Sequence, residues 1–279
     1  MAQTAVQREF EFKTQDFKFI ASLVYDKTGI VLADHKQDMV YSRIARRLRN
    51  LNLHTFRDYC ELLQNDDSQE EMANFVNAIT TNLTSFFREK HHFVHLRDEV
   101  LKPFVNSKPK EKRLRIWSSA CSSGAEPYSI AMTCCSAIQD IANWDVKILA
   151  TDIDTGMLNK SRNGEYKKEE IAGIPDTLRK KHVVETHNDI FQISPSLRSL
   201  IRFKQLNLIE PWPFKGPLDV VFCRNVIIYF DKETQQKLFT QMASRIKKGG
   251  WLYLGHSETL HGISDQFELI GKTIYRKVV

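Results

Sequence analysis

The sequence predicts an α/β fold, in which a doubly wound, largely parallel sheet with a small β-hairpin subdomain follows an all-α N-terminal domain. From residue 114 onward, short apolar strands alternate with helical patterns, which is typical of a parallel sheet. The stretch RIWSSACSSGAEPY (115–128) joins an apolar strand to a helix through a turn of small residues, as the first unit of a doubly wound fold does. Before residue 80, apolar residues recur at helical spacing.

These patterns divide the chain into a helical domain at 1–80, a linker at 81–113 and a sheet domain at 114–279. Within the sheet domain, residues 163–198 break the alternation, and HVVETHNDIFQI there predicts a hairpin outside the main sheet. The last stretch, FELIGKTIYRKV, predicts one final strand, antiparallel at the sheet edge. Residues 102–112 are polar and contain proline, and predict a loop before the first strand.

Composition limits the class of protein more than it limits the function. The 279 residues are 42% hydrophobic and 27% charged, which is ordinary for a globular protein of one large or two smaller domains. There is no apolar run of membrane-span length and no secretory segment at the start, so we expect no membrane insertion. Five cysteines without metal-type spacing predict reduced thiols, a cytoplasmic location and no metal site. The net charge of +6 favours an acidic partner: nucleic acid, an anionic membrane surface or an acidic protein surface.

The helical domain carries a basic arc on its second predicted helix, at about 36–50. Apolar residues at positions 40, 44, 48 and 51 repeat at helical spacing and predict the buried face. The residues that fall together on a neighbouring arc are Lys36, Arg43, Arg46 and Arg47. We expect this arc to point outward, with no acidic partner at i+4 and pairing only through distant parts of the chain, either as a solvated face or as a surface for an acidic partner.

The linker opens with TTNLTSFFREKHHF (80–93), in which Phe86 and Phe87 precede Arg88. Two adjacent aromatic residues are unusual in an exposed linker, so we expect them to pack and to hold Arg88 in place. The alternative is an ordinary helix start that Thr84 caps.

Polar residues follow several predicted strands, where α/β proteins bind ligands. The turn after the first strand has one glycine, Gly124, and so lacks the dinucleotide fingerprint, while Glu126 at its mouth disfavours phosphate and favours a cation. Asp152, at the end of the second strand, occupies the place where such folds hold ribose hydroxyls; Asp154 fits a helix cap better. Later strands end at positions 207–208 and 224–225, with Tyr229 near the same edge. His256, at another strand end, is either a hydrogen-bonded structural residue or a catalytic one.

Six segments occur in one order: TTNLTSFFRE, CSSGAEPYSIAM, ATDID, QLNL, FCRNVIIYFD and GHSE. Together they resemble the chemotaxis receptor methyltransferases, the CheR family, and ADHKQDMVYSRIARRLR extends the resemblance to about residues 15–277. The resemblance implies a Rossmann-like, S-adenosylmethionine-dependent methyltransferase with a helical receptor-recognition domain. It implies transfer of a methyl group to glutamate side chains of chemoreceptor cytoplasmic helices, with S-adenosylhomocysteine as the product.

The resemblance also implies the site residues. The family's cofactor contacts fall on Asn82, Thr84, Arg88, Glu126, Asp152, Asn207, Leu208, Arg224 and Asn225. Arg88 and Tyr229 are the expected catalytic pair, because an arginine can orient a carboxylate and the tyrosine matches one near the methyl group. The basic arc is expected to bind the acidic receptor helix.

The sequence departs from the family at two places. Ala125 stands where many members have Glu or Gln, and we expect cofactor binding to survive this change. The hairpin turn at 185–189 is short and lacks glycine, so we expect no docking of a C-terminal receptor pentapeptide.

Two other functions remain open on sequence: a nucleic-acid methyltransferase that uses the basic helix, and a sensor that binds the cofactor without catalysis. No N/D-P-P-Y/F-type motif is present, and Arg88 and Tyr229 are both retained, so we expect neither. We expect a monomer without a nucleic-acid partner.

Overall fold

The computed structural model describes residues 8–65, 69–187 and 189–279. The described chain divides into two compact units, with the boundary between Thr81 and Asn82. Within the described ranges, no helix is both long enough and apolar enough to cross a membrane. The five cysteines all lie within these ranges and are all free thiols, as the sequence predicted.

In its described residues, the first unit contains four α-helices: α1 (Thr14–Thr28), α2 (Gln37–Leu51), α3 (Phe56–Gln64) and α4 (Gln69–Ile79). Helix α1 ends at Gly29, whose left-handed φ of 73° is a conformation that glycine adopts without steric cost. Thr55 caps α3 by accepting a hydrogen bond from the Asp58 amide. Apolar faces of all four helices meet in one core that includes Ile20, Ile44 and Phe75.

The basic arc of α2 differs from the prediction. The Arg43 guanidinium donates to the backbone carbonyls of Ala78, Ile79 and Thr80, at and just after the end of α4. Arg47 binds both carboxylate oxygens of Glu71, which is buried. Lys36 and Arg46 are exposed. The expectation that the whole arc faces outward was therefore wrong for Arg43 and Arg47, because α4 brings partners from a distant part of the chain to both arginines.

The second unit begins with a helical segment: α5 (Lys90–His95), a π-helical turn (Leu96–Leu101) and α6 (Lys102–Asn106). The sequence predicted a loop from residue 102, and this was wrong for the first five residues. Pro103 lies in the first turn of α6, directly after the π-helical turn, and it does not end the helix.

Ten strands follow along the chain. In order they are β1 (Arg113–Ser118), β2 (Asp145–Asp152), β3 (Glu165–Lys167), β4 (Val183–His187), β5 (Ile190–Ile193), β6 (Ile201–Gln205), β7 (Leu218–Cys223), β8 (Ile246–Leu254), β9 (Phe267–Gly271) and β10 (Ile274–Lys277). The α-helices that lie between these strands along the chain are α7 (Ala125–Ala137), α8 (Thr155–Asn163), α9 (Asp176–His182), α10 (Pro195–Arg198) and α11 (Lys232–Arg245).

Seven strands form the main sheet, in the order β6-β2-β1-β7-β8-β10-β9. The pairs β1–β2, β1–β7, β2–β6 and β7–β8 are parallel, so their carboxyl ends share one edge. The strand order reverses beside β1, which is the switch point where doubly wound sheets bind ligands. Ile116 of β1, Ile148 of β2 and Phe222 of β7 are fully or almost fully buried between the helical layers.

Two details of the sheets differ from or add to the prediction. The final stretch makes two antiparallel strands, β9 and β10, where one was predicted, because Gly271, Lys272 and Thr273 all have positive φ and turn the chain back. The predicted hairpin of β4 and β5 is confirmed, and β3 pairs with β5 to make a three-stranded sheet. Its turn includes Asn188, which lies outside the described residues.

Candidate active site

The turn between β1 and α7 is shaped by close neighbours of its glycine. Gly124 has a φ of 94°, and an added Cβ there would come within 2.8 Å of both the Ser161 Cβ and the Tyr166 hydroxyl. A side chain would therefore clash and strain the backbone at once. The turn consists of small residues and contains no lysine or arginine between residues 118 and 127.

Asp152 joins this turn to the end of β2. Its Oδ2 accepts from the Ser122 amide at 2.7 Å and its Oδ1 accepts from the Asp154 amide at 2.9 Å. Burial raises the pKa of Asp152 to about 6, although these amide hydrogen bonds act in the opposite direction. Asp152, the residue predicted to bind a ribose, is therefore buried at the carboxyl end of β2, and its pKa is raised.

Asp154 and Asn82 bring the start of the second unit to the same edge. Asp154 Oδ1 accepts from the Met157 amide at 3.0 Å and caps α8, as the sequence predicted. Its Oδ2 accepts from Asn82 Nδ2 at 2.7 Å, and the Asn82 carbonyl accepts from Ser122 Oγ at 3.1 Å. Asn82 is therefore next to the ends of both β1 and β2.

A buried cluster of charges lies at the ends of β1 and β7. Glu126 accepts from Ser118 Oγ at 2.7 Å and from Arg224 Nη1 at 2.9 Å. Arg224 Nη2 donates to the Arg88 carbonyl at 2.6 Å and lies 3.4 Å from Glu89 Oε2. Burial raises the pKa of Glu126, and Arg224 opposes that effect. Two carboxylates and one guanidinium give this cluster a net charge of −1 when all three ionise.

The segment before α5 is held by its aromatic residues, as predicted. Phe86 packs edge-on against the Tyr166 ring at 4.9 Å, and Phe87 packs against Phe93 at 5.1 Å between centroids. Arg88 is half-buried, and its Nη1 donates to the Leu83 carbonyl at 2.8 Å. Thr84 is half-buried in the same segment but does not cap the helix, since α5 begins only at Lys90, after Glu89.

Glu258 had no predicted role, although it lies in GHSE, one of the six segments that resemble the CheR family. Glu258 is 3% exposed. Its carboxylate accepts four backbone N–H groups, from Gly255 at 2.6 Å, Asn225 at 2.8 Å, Val226 at 2.9 Å and Ile227 at 3.0 Å. Glu258 thereby joins the ends of β7 and β8. The sequence signal that could have identified it is an acidic residue three positions after the glycine at the end of a strand.

Three further predicted residues lie near the two strand ends that Glu258 joins. Asn225 has a left-handed φ of 57° and its amide is one of those that Glu258 binds. Tyr229 is half-buried at the end of the 3₁₀ helix Ile227–Tyr229, on the anchored segment. His256 is exposed, and its backbone N–H donates to Glu89 at 3.3 Å, which fits a structural role.

Asn207 and Leu208 follow β6, the neighbour of β2 at the same edge. The Asn207 Nδ2 donates to Glu210 Oε1 at 2.9 Å, and Leu208 is 7% exposed. The strand-end residues therefore converge on one edge of the second unit, whereas Lys36, Arg43, Arg46 and Arg47 belong to the first unit.

This donor set fits S-adenosylmethionine, which presents a sulfonium, an ammonium, a carboxylate and ribose hydroxyls but no phosphate. A buried carboxylate at Asp152 can accept from hydroxyls, and the net negative cluster around Glu126 favours an ammonium. The cation-free turn after β1 offers nothing to a pyrophosphate.

Comparison with known proteins identifies the family. Residues 82–276 match the family model described as "CheR methyltransferase, SAM binding domain", and residues 15–80 match "CheR methyltransferase, all-alpha domain". A "Probable chemotaxis protein methyltransferase" of Rhizobium etli is 43% identical over 91% of this chain and 96% of its own. A "Chemotaxis protein methyltransferase" of Escherichia coli is 41% identical over 93% of this chain and 89% of its own. "Chemotaxis protein methyltransferase 2" of Pseudomonas aeruginosa is 41% identical, over 96% and 95%.

The two family models together cover the chain from residue 15 to residue 276 with one residue between them, and they meet where the structure divides. The fold, the buried strand-end acids and the relatives agree on one class of enzyme. The chain belongs to the CheR methyltransferase family and is an S-adenosylmethionine-dependent chemotaxis methyltransferase.

Proposed function

We propose that the chain transfers a methyl group to glutamate side chains of chemoreceptor cytoplasmic helices and so forms glutamate methyl esters. The observation that carries this proposal is that the second unit matches the SAM binding domain of a family of chemotaxis methyltransferases, and that its strand-end acids Asp152 and Glu126 are buried and hydrogen-bonded at the candidate site. A half-buried arginine and a half-buried tyrosine, Arg88 and Tyr229, stand on segments anchored to that site.

The chemistry of a carboxylate substrate matches what these residues offer. A glutamate side chain has an ordinary pKa of about 4.3, so it is ionised at neutral pH and needs no general base. The bound cofactor supplies an electrophilic methyl group. The protein's task is then to position the carboxylate, and good orientation of reactants contributes roughly 7–11 kcal/mol.

Arg88 is proposed to orient either the incoming carboxylate or the carboxylate of the cofactor. Among the described residues, the one hydrogen bond of its guanidinium goes to the Leu83 carbonyl. Its remaining N–H groups can bind a carboxylate through two parallel hydrogen bonds. Tyr229 is proposed to donate its hydroxyl to the same carboxylate, because Glu258 fixes the backbone just before it.

Receptor docking is proposed for the exposed part of the basic arc on α2. Lys36 and Arg46 are exposed and suit an acidic helix, in keeping with a recognition role for residues 1–80. Arg43 and Arg47, first assigned to the same surface, are instead proposed to hold α2 against α4.

We further propose that the enzyme acts as a monomer in the cytoplasm and binds no C-terminal receptor pentapeptide. The short turn between β4 and β5 supports the second point. Titration of a family-type pentapeptide should give no saturable binding, and removal of the receptor tail should not slow methylation. Saturable binding would refute this.

The test of the main proposal is an assay with a labelled methyl donor on receptor membranes, on the same receptor with its methylation-site glutamates changed to alanine, and on nucleic acid. We expect label in the intact receptor alone, released as methanol by mild base. A base-stable product would indicate methylation of an amine. Label in nucleic acid but not in receptor would replace the proposal with the nucleic-acid alternative.

A further inference from the structure

One group of metal-ligand side chains lies beside the site and has no role in the proposed reaction. Glu89, His91 and His92, called here the Glu89 cluster, each offer a ligand atom within 4.8 Å of those of the other two. Glu89 has a left-handed φ of 59° and immediately precedes α5, so both histidines lie in the first turn of that helix. The cluster combines two imidazoles with one carboxylate.

The hydrogen bonds of the histidines fix which nitrogen of each ring is free to bind. The backbone carbonyl of Lys272 lies 3.0 Å from His92 Nε2 and 3.3 Å from His91 Nε2. A carbonyl only accepts hydrogen bonds, so both Nε2 atoms carry the proton. The lone pair of each neutral ring is then on Nδ1. Donation of the second ring N–H to a carbonyl is the arrangement that metal-bound histidines adopt.

Two buried acceptors face each other inside the cluster. The His92 side chain is 0% exposed, and its Nδ1 lies 3.5 Å from Glu89 Oε2. Neither atom has a hydrogen-bond partner within the described residues. An imidazole lone pair against a carboxylate oxygen is unfavourable without water, unless a cation lies between them.

The separation of these atoms matches a metal better than a hydrogen bond. Two ligands of a tetrahedral zinc, each about 2.0–2.2 Å from the ion, are about 3.3–3.6 Å apart. Mixed imidazole and carboxylate ligands suit Zn²⁺, whereas Mg²⁺ and Ca²⁺ prefer oxygen ligands throughout. His91 is half-buried, which leaves a path for the ion and a position for water as the fourth ligand.

The surrounding charge permits a cation. Arg224 lies 3.4 Å from Glu89 Oε2 and would repel it, but Arg224 is also bound by Glu126 at 2.9 Å. The two carboxylates outnumber the one guanidinium, so the local charge is −1 before an ion enters. A divalent ion would bring the charge of this cluster to +1 while Arg224 stays bound to Glu126, so bound zinc should weaken the attraction of the cluster for the cofactor's ammonium.

We propose that Glu89, His91 and His92 bind one divalent transition-metal ion, Zn²⁺ by donor type, next to the cofactor site, with His92 bound through Nδ1. The site joins the start of α5 to the turn between β9 and β10 through the Lys272 carbonyl. It is structural, because none of its ligands is assigned to the reacting groups.

The test uses the full chain after removal of metal with a chelator, titrated with Zn²⁺ by calorimetry. We expect one tight equivalent and a midpoint of thermal unfolding that rises with zinc concentration. His91→Ala should lower zinc affinity by more than about tenfold, the range that loss of even an outer hydrogen-bond partner of a ligand produces. His91 is half-buried, so this variant should fold, which circular dichroism without metal verifies.

Matched controls separate this site from adventitious binding. His54→Ala and His261→Ala remove exposed histidines elsewhere and should leave zinc affinity unchanged. Substitution with Co²⁺ should give a tetrahedral visible spectrum without a thiolate band. Absence of tight binding, equal binding by His91→Ala and wild type, or a thiolate band would each overturn the proposal. These readouts do not depend on methylation, so they stand whatever the receptor assay shows.

Discussion

Each of the two units buries a glutamate against an arginine, and the two clusters differ in how completely their atoms are bonded. In the first unit, Glu71 accepts from Arg47 Nε at 2.9 Å, from Arg47 Nη2, and from the Tyr59 hydroxyl at 2.7 Å. In the second, Arg224 lies between Glu126 and Glu89. Among the described residues of this second cluster, Glu89 Oε2 and Arg224 Nε are buried without a hydrogen-bond partner, as is the neighbouring His92 Nδ1.

The difference separates a structural cluster from one at a binding site. A buried polar atom without a partner costs free energy, so a purely structural cluster tends to bond every buried atom. Among the described residues, no side-chain atom of the Arg47–Glu71–Tyr59 cluster is buried without a hydrogen-bond partner. A cluster that keeps unbonded polar atoms near a ligand site has donors and acceptors left for a ligand or an ion. The following predictions test that distinction, from the largest expected effect to the smallest.

Loss of the structural cluster should affect stability and leave the chemistry unchanged. Glu71→Ala leaves Arg47 without its carboxylate and should lower the free energy of unfolding of the first unit by about 3–5 kcal/mol. Urea unfolding followed by circular dichroism measures this. Glu70→Ala, an exposed neighbour on α4, is the control and should change stability by less than about 0.5 kcal/mol. If Glu71→Ala left the free energy of unfolding unchanged but raised the KM for receptor, Arg47 would be reassigned to the docking surface.

Loss of the Asp152 charge should weaken binding of the cofactor. Asp152→Asn should lower affinity for S-adenosylhomocysteine by about 10- to 150-fold, because a hydrogen bond to a charged group contributes about 1.5–3 kcal/mol. Asp145→Asn, at the exposed start of the same strand, should not change affinity. Calorimetry compares the two, and thermal unfolding must accompany it because Asp152 also binds two backbone amides. Equal affinities would remove Asp152 from the site.

The raised pKa of Asp152, about 6, gives two opposite pH dependences. Its folded pKa exceeds the unfolded value of about 3.9, so its contribution to stability is fully present below about pH 4 and is lost as pH rises through about 6. Cofactor binding needs the ionised form, so affinity for S-adenosylhomocysteine should fall up to about tenfold per pH unit below about 6. Calorimetry between pH 5 and 8 should show this in wild type and lose it in Asp152→Asn. An identical pH profile in the variant would assign the titration to another group.

Removal of the Tyr229 hydroxyl should lower turnover and leave the affinity for the cofactor product unchanged. Tyr229→Phe should lower kcat by about 2- to 12-fold, the equivalent of one ordinary hydrogen bond of about 0.5–1.5 kcal/mol, with unchanged affinity for S-adenosylhomocysteine. Steady-state methylation of receptor and calorimetry measure the two quantities. Full turnover in the variant would show that the hydroxyl does not contact the reacting carboxylate.

Charge reversal at the two exposed basic residues, Lys36 immediately before α2 and Arg46 on α2, should have the smallest effect on receptor methylation. Lys36→Glu and Arg46→Glu should each raise the KM for receptor about two- to fivefold at low salt, and less at high salt, because exposed charges are screened. Lys18→Glu, an exposed reversal on α1, is the control for net charge. An equal effect of all three reversals would indicate general attraction without a docking surface.

The sequence by itself determined the order of elements and the residues at the strand ends. Apolar periodicity is a local property, and it predicted the alternation of strands and helices to which β1, β2 and β7 belong. Parallel strands share an edge, so Glu126, Asp152 and Arg224 could be placed at one edge of the sheet, and the family resemblance then assigned them to one cofactor site. Local capping chemistry likewise identified Asp154.

Only the tertiary structure decided which charges pair and which atoms remain unbonded. Arg47 and Glu71 are 24 residues apart, Arg224 and Glu126 are 98 apart, and Glu258 and Asn225 are 33 apart. No local spacing encodes such pairs, because they depend on how helices and strands pack after the chain has folded. For the same reason, a helical arc that looked uniformly basic in sequence became two structural arginines and two exposed cations once α4 packed against α2.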